Sequence, residues 1–334
     1  MLRIHFSFDD LARTRVGAGP DVMWEIVLSV QLLQNREGAL LFDGWRERAR
    51  AGLRPWIRPL VALAPHAPYF PDFLTPAKAA SRSVEDGIER VLTTPRTRIR
   101  AELELLGAQR PLPGWARGLA DGDIRVFEGL GRALRSYHDA VLQPDWPAIW
   151  AHVEADRAKR MRALAHGGVE GLLRSYSPML RWRPPFLEAD YPVTQELVLG
   201  GRGLLLQPSY FCCRTPVTLV DPELTPVLVY PIAQDVRSRA AGPTGNSLTA
   251  LIGATRAAVL WSIGDGCTTT ELSRRACTSI ASASQHATVL RAAGLIATRR
   301  EGSAVLHTLT PLGRDLLAAE GQAPDAVAST GRRP

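Results

Sequence analysis

Between residues 268 and 309 the side chains best placed for chemistry are hydrogen-bond donors and acceptors, not nucleophiles. The run from Ser279 to Thr288 (SIASASQHAT) interleaves short polar residues with alanine. Ser282, Ser284, Gln285 and Thr288 carry hydroxyl and amide groups of the kind that meet base-pair edges in a DNA major groove, and their small neighbours let a helix approach closely. His286 is first a hydrogen-bonder at the helix surface. Arg291, which faces solvent or a phosphate, and Arg299 and Arg300, placed for phosphate or minor-groove contacts, follow; phosphate contacts fix register without reading sequence.

These groups need a helix, a second helix in front of it and a hairpin behind it. Thr268 with Glu271 has the spacing of a capping box, which starts a helix through Ala276. Cys277-Thr278 makes a turn, and Ser279 caps the next helix. On that helix Ile280, Ala283, Ala287, Leu290 and Ala293 form one apolar stripe, leaving Ser282, Ser284, Gln285 and Thr288 facing out. Gly294 ends it in the left-handed conformation. Two strand-like runs, 295–300 and 304–309, are joined by Glu301-Gly302-Ser303. Upstream, Leu248, Leu251 and Ile252 share a helical face. Downstream, Thr310 caps a helix opened by Pro311, with Leu312, Leu316 and Leu317 on one side.

Ser279, Ser284, His286, Val289, Leu290, Arg291, Ala293, Gly294 and Leu295 follow in order the "S…S.H…VLR.AGL" pattern of ArsR-type bacterial regulators. The stretch resembles their winged helix-turn-helix. That resemblance implies double-stranded DNA as partner, a homodimer, and repression before activation. Thr268, Ser279, Ser282, Ser284, Gln285, His286, Thr288, Arg291, Arg299 and Arg300 become the expected DNA-facing set. Leu248, Leu251, Ile252, Leu312, Leu316 and Leu317 become the expected dimer faces, since in this family the first helix and the one after the wing pair. Many relatives sense metals through a Cys-x-Cys pair, but those positions hold Thr268 and Thr270 here, with Cys267 one residue early. No histidine falls in 310–320 for the other known arrangement. No metal and no cofactor are expected, and a Cys267–Cys277 redox pair is a minor alternative.

The chain has 334 residues, enough for about two domains, and a net charge of +7. Residues 236–320 hold nine arginines and five carboxylates, so over half of the surplus lies in a quarter of the chain, as a polyanionic partner would favour. Before it, helical periodicities around 20–33, 42–51, 56–64, 84–92, 98–106, 124–141 and 148–167 give way to short β-rich runs from 179 to 232. Gly200-Gly201 reads as a hairpin turn between two of them, and the strand at 4–8 can join their sheet. The segments RIHFSFDDLARTR, PDFLTP, GRGLLLQPSYF and VLVYP also resemble a domain of unknown function that precedes ArsR-type winged helices in actinobacterial regulators.

The expected fold is α+β: a mainly helical N-terminal domain with a small antiparallel sheet (1–235), a Gly/Pro/Ser-rich linker (236–247), a C-terminal winged helix-turn-helix domain (248–320) and a disordered tail (321–334). No membrane span and no secretory leader is read, so a cytoplasmic protein is expected. Nucleophile elbow, zinc-protease, phosphate-loop and dinucleotide motifs are all missing, so no enzyme is expected. The front domain is expected to bind a small non-metal ligand or to set dimer geometry. The alternatives are a module that docks a protein partner and an enzyme-like front domain fused to a DNA reader.

Overall fold

The computed structural model describes the chain apart from residues 68, 77–82, 220–223, 233–246, 265, 302–303 and 322–334. Its contacts divide it into two units, residues 1–37 with 42–233 and residues 38–41 with 234–334. Both combine helices with small sheets. The expected linker and tail, except Ser247 and Gly321, fall outside the described residues.

The first unit opens with β1 (Leu2–His5), α1 (Phe8–Arg13) and β2 (Arg15–Val16). The cap of α1 is Ser7, where the sequence suggests Asp9 or Asp10. Ser7 Oγ accepts from the Asp10 N–H, and the Asp10 carboxylate accepts from the Ser7 N–H at 2.9 Å. That reciprocal pair outcompetes a lone aspartate because it satisfies two orphan donors. α2 (Val22–Leu33) starts from Asp21, whose carboxylate accepts from Met23 and Trp24 N–H, so Pro20 precedes the cap instead of opening the helix. Every residue from Val22 to Val30 is buried, as fits a helix that is apolar nearly all round.

Glu25 is the one charged residue within that run. Its fully buried carboxylate accepts from the backbone N–H of Tyr210 (2.9 Å) and Phe211 (3.1 Å) and from Ser209 Oγ (3.1 Å). Burial pushes its carboxyl up to about 7; the three donors oppose that shift and the Asp21 charge adds to it. Phe42, Trp45, Tyr210 and Phe211 pack ring to ring.

Then come α3 (Ala39–Gly52), α4 (Arg58–Leu63), α5 (Val84–Leu92), α6 (Arg96–Gln109), α7 (Ala116–Asp121), α8 (Ile124–Tyr137) and α9 (Trp146–Arg174). Tyr69, Phe70, Phe73 and Leu74 are buried, which makes their segment a packed loop. α9 continues past its expected end but kinks at Gly167-Gly168, neither of which is helical. Arg160 reaches Ser175 across the kink. It also forms a buried ion pair with Asp156 at 2.9 Å, and the Tyr230 hydroxyl donates to the same carboxylate at 2.9 Å.

The strands that follow are β3 (Leu180–Arg183), β4 (Phe186–Ala189), β5 (Gln195–Val198), β6 (Leu205–Ser209), β7 (Val217–Thr218) and β8 (Val227–Pro231). The single antiparallel sheet expected from the sequence is instead two mixed sheets. One has the order β3-β4-β1-β5 with β1 and β5 parallel; the other is β2-β6-β8-β7 with β6 parallel to both β2 and β8. Gly200-Gly201 is therefore no hairpin turn. Both residues have positive φ, and they carry the chain from one sheet to the other.

The second unit comprises α10 (Ser247–Ile252), α11 (Ala254–Ser262), β9 (Cys267–Thr268), α12 (Thr269–Arg275), α13 (Ile280–Ala292), β10 (Ile296–Glu301), β11 (Ala304–Leu309) and α14 (Pro311–Gly321). Its sheet has the order β10-β11-β9. Val259, Leu260, Ile263, Leu272, Ala283, Ala287 and Leu290 fill its core. Leu248, expected at a dimer face, is buried in that core, and Ile252, Leu316 and Leu317 pack against it. Both helices need those side chains to close their own unit. Leu251 and Leu312 remain exposed, at 71% and 58%.

Thr310 caps α14 by accepting the Gly313 N–H at 3.1 Å. Gly313 lets this helix come close: a Cβ there would stand 2.1 Å from the Leu295 carbonyl oxygen. Gly313→Ala is expected to destabilise the second unit by about 3 kcal/mol, the scale of an overpacked contact against backbone. A lowered urea midpoint followed through the second unit checks it; an unchanged midpoint rejects the close approach.

No described helix is long and apolar enough to cross a membrane. Among the described residues, no group of three or more His, Cys, Asp or Glu side chains could hold a metal ion. Cys212 and Cys267 are buried free thiols, so the Cys267–Cys277 pair considered from the sequence is not formed.

Candidate nucleic-acid interface

α12 is capped by Thr268, whose Oγ1 accepts the Glu271 N–H at 3.2 Å. Only this half of the expected capping box is made. The Glu271 carboxylate turns to Arg275 Nε at 3.0 Å and to Arg274 at 3.6 Å, because a charged donor one turn on binds it more strongly than a backbone N–H. Arg275 also donates to the carbonyls of Ser262 and Ile263 at the end of α11. It thus ties two helices together, and its i,i+4 spacing from Glu271 is the trace of this in the sequence.

α13 is capped by Ser279, whose Oγ accepts the Ser282 N–H at 3.1 Å. It ends in a complete Schellman motif: Leu295 N–H donates to the Leu290 carbonyl at 3.0 Å and Gly294 N–H to that of Arg291 at 2.9 Å. Gly294 has φ +72, as a left-handed stop requires. Leu295 is then buried beside Leu290, and β10 starts at the next residue. Helix and hairpin are joined with almost no slack.

The buried face of α13 differs from the expected stripe at both ends. Ala283, Ala287 and Leu290 are buried as expected, but Ile280 is 47% exposed and Ala293 is exposed. Ser282, expected to face a groove, is buried. α13 packs against both α11 and α12, so its covered arc is two columns wide near its start, and Ser282 and half-buried His286 occupy the second column. Burial, with Arg256 adding repulsion, holds the His286 imidazole below its usual range, which keeps it neutral at neutral pH.

The exposed face keeps Ser284, Gln285, Thr288 and Arg291 together, one turn after another. Thr288 Oγ1 donates back to the Ser284 carbonyl at 3.0 Å, so it offers an incoming group only acceptor lone pairs. Ser279 and Thr268 are half-buried and engaged as caps. They start helices and are not part of this exposed face.

β10 and β11 form a regular antiparallel ladder from Ile296↔Leu309 to Glu301↔Ala304; the tip residues Gly302 and Ser303 lie outside the described residues. Arg299 and Arg300 are both exposed. Successive strand residues point to opposite faces, so the two guanidinium groups flank the ribbon instead of lying side by side. At the base of the ribbon His307 is buried, with Nε2 2.9 Å from Thr269 Oγ1 and Nδ1 3.1 Å from Thr298 Oγ1. Neither this residue nor the third strand β9, which pairs Cys267 with His307, was singled out from the sequence. The available signal was a lone histidine opposite a threonine in an alternating run.

Measured against protein-family models, curated proteins and solved structures, the chain matches none.

Proposed function

We propose that the chain is a sequence-reading, DNA-binding transcriptional regulator of the ArsR type, acting as a homodimeric repressor in the cytoplasm. The observation that supports this most is the division of labour on α13. One face carries the core of its unit, while Ser284, Gln285, Thr288 and Arg291 stand exposed and only Thr288 is tied back to the helix. Such a row of hydroxyl, amide and guanidinium groups is what a helix seated in a major groove presents to base edges and phosphates. Arg299 and Arg300 on the adjoining ribbon supply phosphate contacts. Exposed Leu251 on α10 and Leu312 on α14 supply an apolar surface for pairing two copies.

The experiment is an anisotropy titration of the purified protein against a randomised duplex library and the sequence enriched from it, at two salt concentrations. Preference for the enriched duplex supports the reading. Equal, salt-sensitive binding to both leaves only a basic surface, and no binding to either removes it. Gln285→Ala is expected to change preference at one base pair by about 1–3 kcal/mol, the worth of a bidentate contact to adenine. Competition with single-base-substituted duplexes measures this, and a uniform loss across all of them contradicts it.

The first unit acts in this reading as the sensor of a small, largely apolar ligand, or as the spacer of the two readers. Support for the ligand comes from Trp45, whose indole N–H is buried among aromatic rings with no acceptor among the described residues. A ligand can shift DNA affinity only by its own preference between two states of the protein. Docking of a protein partner is the second reading, favoured by the exposed Ile280, Val289 and Val305. Failure to bind any duplex would leave it in place.

A further inference from the structure

His307 joins the hairpin to the helices beside the β9–β11 ladder, whose Leu306↔Thr268 pair brings the cap of α12 to the same strand. It lies on β11, the middle strand of the β10-β11-β9 sheet. Across one ladder it faces Thr298 of β10, and across the other Cys267 of β9. Its ring bonds to Thr298 within the hairpin and to Thr269, the first residue of α12, outside it. The side chain is 4% exposed. Burial, with the Arg291 charge of α13 as the second cause, holds its imidazole below the usual range, so the ring bridges the two hydroxyls as a neutral group. A neutral imidazole has one donor and one acceptor, and a hydroxyl can answer either. Both bonds are therefore satisfied at once.

The β9 ladder covers only Leu306 and His307 of β11, and the outer pairs Arg300↔Val305 and Glu301↔Ala304 lie within the hairpin. β10 and β11 extend from His307 towards Glu301 and Ala304 with Arg299 and Arg300 on that outer half. Any rotation of the ribbon about its base is magnified at those two arginines. The bond to Thr269 Oγ1 opposes that rotation, because it ties the ribbon to the start of the helix preceding α13.

We propose that His307 is a positioning residue: it fixes the pose of the hairpin against α12 and so places Arg299 and Arg300 on the phosphates flanking the groove that α13 reads. This rests on the DNA-binding reading given above. It makes part of the hairpin's share of affinity depend on a ring-to-hydroxyl bond that adds to the β9–β11 ladder, although neither partner touches DNA.

The test is a double-mutant cycle on the full chain, read as anisotropy against the duplex enriched from a randomised library at several salt concentrations. His307→Ala is expected to weaken binding about tenfold and to make the salt dependence shallower by roughly one charge, as if one phosphate contact were lost. In an Arg299→Ala/Arg300→Ala background it is expected to add nothing, because its effect passes through those arginines. Thr269→Val keeps the shape of the side chain and removes only the hydroxyl bonded to the ring. It is expected to reproduce the loss, whereas Thr298→Val, which cuts only the bond within the hairpin, is expected to bind as the wild type does. Thr269→Val also keeps the test decisive if His307→Ala fails to fold. Full additivity with the arginine variant, or wild-type binding by Thr269→Val, overturns the positioning role while the DNA reading stands. A wild-type chain that binds no duplex overturns both.

Discussion

Alanine at Arg299 and Arg300 together is expected to weaken binding to every duplex alike, about thirtyfold near physiological salt, and to lower the slope of log K against log salt by roughly two. The reasoning is electrostatic. Each guanidinium that neutralises a phosphate releases condensed counterions, and that gain is independent of the bases beneath it. Both arginines are exposed on β10 and on opposite faces of the ribbon, so each reaches a different phosphate and the two losses add. Stability should change little, because neither side chain belongs to the buried core of the second unit. The measurement is a salt series on the enriched duplex and on a scrambled one. A loss confined to the enriched duplex, at unchanged slope, would assign these arginines to base edges instead.

Glu25→Ala is expected to cost the first unit about 4 kcal/mol. The backbone donors of Tyr210 and Phe211 and the Ser209 hydroxyl all converge on this carboxylate, and truncation leaves them buried without an acceptor, at roughly 1–3 kcal/mol each before relaxation. Glu25→Gln separates the charge from the shape. Burial raises the carboxyl from an ordinary 4.5 to about 7, so the folded state holds this proton more tightly than the unfolded chain does. Its contribution to stability is then complete below pH 4.5 and is lost as pH rises to about 7. That difference amounts to roughly 3 kcal/mol. Urea unfolding of the wild type should show the decline, and Glu25→Gln should lack it while being less stable at low pH. A wild-type stability that rises through this window would mean that the three donors outweigh burial and keep the carboxylate ionised throughout.

The elements around α13 were legible in the sequence because local chemistry sets their limits. Ser279 and Gly294 mark the helix ends through a cap and a left-handed stop, and neither device needs a distant partner. Ser282 was misplaced because a helical wheel reports one apolar stripe, whereas packing against α11 and α12 covers a second column. The sheets of the first unit failed for a related reason. Strand order is decided by partners far along the chain, and the alternation within 195–198 or 205–209 does not say whether a neighbour runs parallel. β4 leaves no strand signal in the sequence because Phe186-Leu187-Glu188-Ala189 lacks alternation, its buried Glu188 being balanced by Arg3 at 3.0 Å. Glu25 did leave a trace, a single acid inside VMWEIVLSV. Its three donors come from residues 209–211, which no local pattern could pair with it. For the candidate interface, Gln285, Ser284, Thr288 and the arginines were readable as exposed types. His307 was not, since its two hydroxyl partners come from separate elements.

The position of β1 bears on how this protein is made. Leu2 and Ile4 are buried, and β1 lies between β4 and β5, whose paired residues are 186–189 and 195–198. A strand translated early thus waits for partners translated near the end of its unit. Contacts so remote in sequence slow folding, since a long loop must close before any of them forms. During that interval the nascent chain exposes β1 and the apolar surface of α2, a natural target for chaperones. Slower elongation before residue 198 would lengthen that exposure. Synonymous codon choice in this stretch would then govern yield without altering a single side chain.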